Sequence, residues 1–172
     1  DSKGVTPLMW ASKYGNHSLA KLLLEQGDVN PNLSNRCSRT ALLYAVKVGS
    51  PKLVKLLLAR EDLNPELSGV NGRTPLSWAA GYGTENVIKL LLNRAGVNPD
   101  SLDILRRTPI SYATESGKEG VVKLLLEHEG VNPDSLDNYG HSSSSYAARG
   151  GHRGILNLLL QRGAINPDAS RN

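Results

Sequence analysis

Residues 72–99 read GRTPLSWAAGYGTENVIKLLLNRAGVNP, and this stretch decides the fold because it recurs. Thr74-Pro75 opens it, Gly83 divides it, Leu90-Leu91-Leu92 fills its second half and Asn98-Pro99 closes it. Thr6, Thr40, Thr108 and Ser142 match Thr74 at intervals of 34 residues, and Gly15, Gly49, Gly117 and Gly151 match Gly83. Leucine triplets at 22–24, 56–58, 124–126 and 158–160 keep the same phase. So do Asn30-Pro31, Asn64-Pro65, Asn132-Pro133 and Asn166-Pro167. A fixed period of this length marks a repeat array. Five units, 1–34, 35–68, 69–102, 103–136 and 137–170, account for all but two of the 172 residues. The chain is therefore read as a single all-α domain without a linker, and as a fragment of a larger protein.

Each unit reads as two short helices and a turn. Thr can cap a helix start, and Pro fits the first helical position. The recurring Gly tolerates the left-handed conformation that ends the first helix. Ser50-Pro51 starts a second helix at once. Its apolar positions Leu53, Val54, Leu57 and Leu58 form one buried stripe, with Lys55 off it. Asn64-Pro65 is expected to stop that helix, because the residue before Pro disfavours helical geometry. One such pair cannot bury its apolar face alone, so neighbours must stack. Truncation of Leu57 to Ala is expected to cost about 2–5 kcal/mol, with similar losses at Leu23 and Leu91. The serine run Ser142–Ser145 replaces the usual start in unit five and predicts a looser, more polar first helix, since Ser is a mediocre helix former.

Unit one supplies Asp1, Gly4, Thr6, Pro7, Leu8, Ala11, Gly15, Leu23, Leu24, Val29 and Asn30, and unit three repeats the pattern from Gly72 to Asn98. These residues resemble the ankyrin-repeat family along the whole chain. The resemblance implies an ankyrin-repeat solenoid of five helix-turn-helix repeats joined by short hairpin turns. Two departures stand out. The family's usual unit is one residue shorter, and its customary His after the Thr-Pro-Leu start is here Met9, Leu43, Ser77, Ser111 or Ser145. The bonds such a His makes must be replaced or absent. The next position is always aromatic: Trp10, Tyr44, Trp78, Tyr112 or Tyr146. That serine–aromatic–alanine core with its Asn-Pro closure also resembles repeats of large multidomain fungal proteins, some of which join a nucleotide switch to a repeat sensor.

Composition narrows the class. With 21% charged residues and a net charge of +4, the chain is neither a polyelectrolyte nor of disordered composition. No stretch approaches the run of about 18 apolar residues a membrane helix needs. Asp1 to Pro7 lack a basic segment followed by an apolar one, so no secretory signal is expected. The single Cys37 can make no internal disulfide and no multi-cysteine zinc site. An intracellular setting, cytoplasmic or nuclear, fits this cysteine usage.

The resemblance places the partner surface on the concave side, at the turn tips and the solvent face of the first helices. The matching positions in unit one are Lys3, Val5, Lys13 and Tyr14. Arg36, Arg39, Lys47 and Val48 match in unit two, and Val70, Asn71, Arg73 and Tyr82 in unit three. Unit four supplies Ile104, Leu105, Arg107 and Glu115, and unit five Asn138, Tyr139, His141 and Arg149. Eight cations (Lys3, Lys13, Arg36, Arg39, Lys47, Arg73, Arg107, Arg149) face Glu115 alone in this set. Stacked helices lie about 8–10 Å apart, roughly one Debye length, so these charges are expected to reinforce one another toward an acidic protein partner. The alternatives are that they only solvate the turns, or that they attract nucleic acid or anionic lipid. A further alternative is a regulatory arm acting in cis on a nucleotide switch or enzyme. The aromatic positions either pack between units or offer a stacking platform for bases.

Catalytic patterns do not assemble. His17, His128, His141 and His152 form no zinc-protease spacing, the serine run has no Gly-x-Ser-x-Gly elbow, and Gly81-Tyr82-Gly83 lacks the third glycine of a dinucleotide loop. Cys37 sits beside Arg36 and Arg39, cations that can activate a thiol, but a partner-contact or bystander role is the reading taken. No cofactor, metal or small-molecule substrate is implied, and the fragment is expected to be monomeric.

Overall fold

The computed structural model describes residues 3–162. The expected roles of Asp1 and of Asn166-Pro167 lie outside them. Among the described residues there are ten α-helices and no strand. They form five pairs: α1 (Pro7–Lys13) with α2 (His17–Glu25), α3 (Ala41–Val48) with α4 (Pro51–Leu58), and α5 (Pro75–Tyr82) with α6 (Glu85–Leu92). Then come α7 (Pro109–Glu115) with α8 (Glu119–Leu126), and α9 (Ser143–Gly150) with α10 (Arg153–Gln161). The odd-numbered helices stack in one row and the even-numbered in a second, each helix also packing on its pair mate. This is a solenoid: the packed helix pairs among the described residues lie within a unit or between neighbouring units.

The helix starts follow from the period. Thr6, Thr40, Thr74 and Thr108 each accept a hydrogen bond on the side-chain oxygen from the backbone N–H three residues on, at 3.2–3.4 Å. Such caps contribute about 1 kcal/mol each. The serine run of unit five still forms a full, capped and more polar first helix. Ser142 Oγ accepts from the Ser145 N–H at 3.3 Å, Ser143 is buried, and α9 runs eight residues like α3 and α5. A serine hydroxyl caps as well as a threonine one. The serines also stand in for the family's His. Ser111 Oγ accepts the Thr108 N–H at 2.9 Å and lies 2.8 Å from the Thr108 hydroxyl, while Ser77 and Ser145 lie near their own cap hydroxyls.

The Asn-Pro pairs do not end the second helices. Helix α4 ends at Leu58, well before Asn64. Asn64 Oδ1 instead accepts the Glu66 N–H at 2.9 Å, and Asn30, Asn98 and Asn132 make the same bond to the residue two ahead. This is an Asx turn, which spans the proline that has no N–H to give. These turns are linked between units: the Asn64, Asn98 and Asn132 N–H groups donate to Asn32, Glu66 and Asp100 side chains. Burial raises the Glu66 and Asp100 pKa values, and those donated bonds partly oppose it.

The second helices hold the core. Leu53, Leu57, Leu91, Leu125 and Leu159 are fully buried. Leu23, expected to match Leu57, is only partly covered. Its helix α2 has a stacked neighbour on one side in this chain, α4, so its truncation leaves a smaller cavity.

Candidate functional site

Each unit begins in a tight turn that projects beyond its first helix. In unit four the Asp103 carboxylate builds that turn. Its Oδ1 accepts the Leu105 and Arg107 N–H groups at 2.9 and 2.8 Å. Its Oδ2 accepts the Tyr112 hydroxyl. Unit five repeats this with Asp137, which accepts from the Tyr139 and His141 N–H groups and from Tyr146. Unit two uses Asn35, whose Oδ1 accepts the Cys37 and Arg39 N–H groups and whose amide donates to the Tyr44 hydroxyl at 3.0 Å. These three residues hold the same register position, at multiples of 34 residues, and all are buried. The sequence reading passed over Asn35, Asp103 and Asp137, although the 34-residue register carried the signal.

In unit three the equivalent residue is Gly69, and the aromatic partner is Trp78. With no side-chain acceptor, the Arg73 N–H makes only a 3.5 Å bond to the Val70 carbonyl. The turn reshapes at Asn71, left-handed at φ 63°, whereas Gly72 at 74° keeps the left-handed conformation that Ser38, Arg106 and Gly140 show at the same register position. Elsewhere adjacent tips are tied by a backbone bond: Arg36 N–H to the Lys3 carbonyl, Ile104 N–H to Asn71, Asn138 N–H to Leu105. The matching bond from Val70 to Cys37 is absent. A cleft of about 240 Å³ opens at this junction, between Arg39, Tyr44 and Lys47 on one wall and Val70, Asn71 and Trp78 on the other.

Arg73 crosses the cleft. Its guanidinium carbon lies 3.8 Å from the Trp78 ring centre and 3.6 Å from that of Tyr112 in the next unit. It donates to the Ser77 carbonyl at 3.0 Å, while its buried Nε has no partner. Burial lowers the pKa of this group; Tyr112 opposes the fall and nearby Arg107 adds to it. Arg107 is differently placed. It ion-pairs with Glu115 at 3.3 Å and lies 3.5 Å from Asp103. Burial lowers its pKa too, but Tyr112, Asp103 and Glu115 outweigh that and raise it. Glu115 also lies 4.0 Å from Arg149. Among the described residues, Arg39, Lys47 and Arg73 have no carboxylate within 4 Å. The sequence balance counted Glu115 alone; the structure adds Asp103 beside Arg107 in unit four and Asp137 beside His141 in unit five.

The other expected site residues fall on the same face. Lys3, Arg36, Val70, Asn71, Ile104, Asn138 and Tyr139 are exposed at the tips, with Val5, Leu105 and His141 half-buried beneath them. Lys13, Tyr14, Lys47, Val48, Tyr82, Glu115 and Arg149 are exposed at or near the C-terminal ends of the first helices. Tyr14 stacks on Trp10 at 5.3 Å with Lys13 over both rings, and Tyr82 stacks on Trp78 at 5.7 Å. The aromatic row is therefore divided: Tyr44, Tyr112 and Tyr146 are buried, whereas Trp10 and Trp78 retain open edges.

Cys37 is a free, exposed thiol at the unit-two tip. Among the described residues no three His, Cys, Asp or Glu side chains converge to hold a metal, and no helix is long and apolar enough to cross a membrane. A family model described as ankyrin repeats, in three copies, matches residues 8–103 and again 95–170. No curated protein matches the chain.

Proposed function

The chain belongs to the ankyrin-repeat family, whose members are protein-binding modules, and from that premise we propose that it is a non-catalytic scaffold holding another protein on its basic face. That face is the row of turn tips and first-helix ends. The observation that carries the reading is the set of exposed side chains there, several of them large and apolar: Tyr14, Val48, Val70, Ile104 and Tyr139 are 46–71% exposed. They alternate with Lys3, Lys13, Arg36 and Lys47. Aromatic anchors among polar groups suit protein contact. The backbone beneath is tied by caps and cross-unit bonds, so little ordering entropy is lost on association.

The natural lysines supply the test. Lys3, Lys13 and Lys47 lie on the proposed face, while Lys52, Lys55, Lys89 and Lys123 are exposed on the second helices. Amine cross-linking of the chain with a co-purified protein, mapped by mass spectrometry, should place the links on the first group. Links concentrated on the second-helix lysines sink the reading. Affinity that collapses with salt and does not distinguish polyanions points instead to nucleic acid or anionic lipid.

A further inference from the structure

Three junctions in this solenoid are alike and one is not. Units two, four and five each carry an internal acceptor, at Asn35, Asp103 and Asp137, that satisfies two tip N–H groups and meets the tyrosine of its own unit. Unit three has Gly69 in that place and Trp78 in place of the tyrosine. The donors nevertheless remain. Arg73 stays packed between Trp78 and Tyr112 with a buried, unpartnered Nε. Trp78 Nε1 lies 3.6 Å from where a Cβ on Gly69 would stand. Arg39, Lys47, Arg73 and Arg107 line the cleft, and no Asp or Glu does.

We propose that this cleft takes a carboxylate from the bound protein, seated against the Arg73 guanidinium beside the Trp78 indole, in the role that Asp103 plays inside unit four. The planar guanidinium fork is matched to a carboxylate. Burial between two rings strengthens its charge-assisted bonds and fixes its orientation. The ring-lined walls then accept the apolar stem carrying the acid. This inference rests on the protein-binding reading above and names the chemistry one junction of that face selects. The carboxylate can belong to an acidic side chain or to a chain terminus.

The test uses the whole 172-residue chain, labelled with ¹⁵N. It contains two tryptophans, so the Trp78 indole cross-peak is assigned by comparison with Trp10→Phe. The probes are acetyl-hexaglutamate amide, acetyl-hexaglutamine amide and acetyl-hexaglutamine with a free C-terminus. The expected result is a saturable shift of the Trp78 indole signal with a carboxylate-bearing probe and none with hexaglutamine amide. Which of the two acidic probes acts tells a side-chain acid from a terminal one. Gly69→Asp supplies the anion internally and should weaken binding at least tenfold. Because a Cβ at Gly69 lies 3.0 Å from Leu43 Cδ1, the double variant Leu43→Ser, Gly69→Asp is made as well. It reproduces the Ser77 and Asp103 pairing of the next junction. Binding that persists undiminished in the double variant overturns the proposal, as does tripolyphosphate shifting Trp78 as strongly as the acidic peptides. If hexaglutamate binding is lost on Lys13→Glu with Arg36→Glu but ignores Gly69→Asp, the basic face survives and the cleft assignment falls. If lysine cross-links fall on the second helices, the broader reading fails by itself.

Discussion

Tyr112 offers the sharpest probe of the acid–aromatic pairs. Its hydroxyl donates to the buried Asp103 carboxylate and accepts from Arg107. Tyr112→Phe removes one oxygen and leaves Asp103 Oδ2 with only the 3.5 Å approach of Arg107. A hydrogen bond to a buried charge contributes about 1.5–3 kcal/mol, and the carboxylate it leaves behind is costly. The unit-two counterpart is Tyr44, whose hydroxyl meets the neutral Asn35 amide at 3.0 Å. Its loss should cost about 0.5–1.5 kcal/mol. At roughly 2–4 °C per kcal/mol for a chain of this size, Tyr112→Phe should lower Tm by about 3–12 °C and Tyr44→Phe by about 1–6 °C. Urea denaturation followed by circular dichroism measures both on one scale. If Tyr44→Phe proves as damaging as Tyr112→Phe, charge is not what makes these pairs strong, and the argument fails.

Two further expectations concern stability. Leu57→Ala should cost about 2–5 kcal/mol and Leu23→Ala clearly less, because Leu57 is fully buried and Leu23 is not; equal losses in urea titrations would show that exposure does not set the difference. The Asp137–Tyr146 pair should shape both ends of the pH profile. Burial, then the bond to Asp137, pushes the Tyr146 pKa up to about 12. Its contribution is intact below about pH 10, the unfolded value, and disappears as pH rises through the folded one. Burial pushes the Asp137 carboxyl up, but the Tyr146 hydroxyl and the His141 and Tyr139 N–H groups outweigh it and leave it below the usual range. Its contribution is present above about pH 4 and fades as pH falls through the lowered value. Tyr146→Phe should therefore show shallower stability loss at both ends, read from denaturation midpoints across pH; an unchanged profile refutes the coupling.

The fold was legible because it rests on local rules repeated in phase. A hydroxyl before Pro caps a helix wherever it occurs, and Leu57 and Leu91 fall on the buried stripe that their spacing predicts. What escaped was non-local. Asp103 reads as an ordinary turn residue until the fold brings Tyr112 back to it, nine positions on. Arg107 reads as a free cation until Asp103 and Glu115 are seen around it. The Asn-Pro pairs were misread for a related reason. The rule about the residue before proline is correct, but α4 had ended at Leu58, and the asparagine's task is the turn that follows. Gly69 was the least conspicuous signal, since it is informative only against Asn35, Asp103 and Asp137.

This uneven pairing changes how the face should act. A count of cations suggests a uniform field along the stack. Of the eight, however, Arg107 and Arg149 share Glu115, and Asp103 and Asp137 lie beneath the same units. Five of the others, Lys13, Arg36, Arg39, Lys47 and Arg73, belong to units one to three and have no carboxylate within 4 Å among the described residues. Because fields between exposed charges fade over about 8–10 Å at physiological salt, the paired charges of units four and five do not cancel those of units one to three. On the proposed reading, an acidic protein partner is drawn to units one to three more than to units four and five, where carboxylates of the chain already meet the cations. The cleft at Gly69 lies between units two and three, where no Asp or Glu lines the wall. On that proposal, position in the stack, more than total charge, decides where a partner's acid comes to rest.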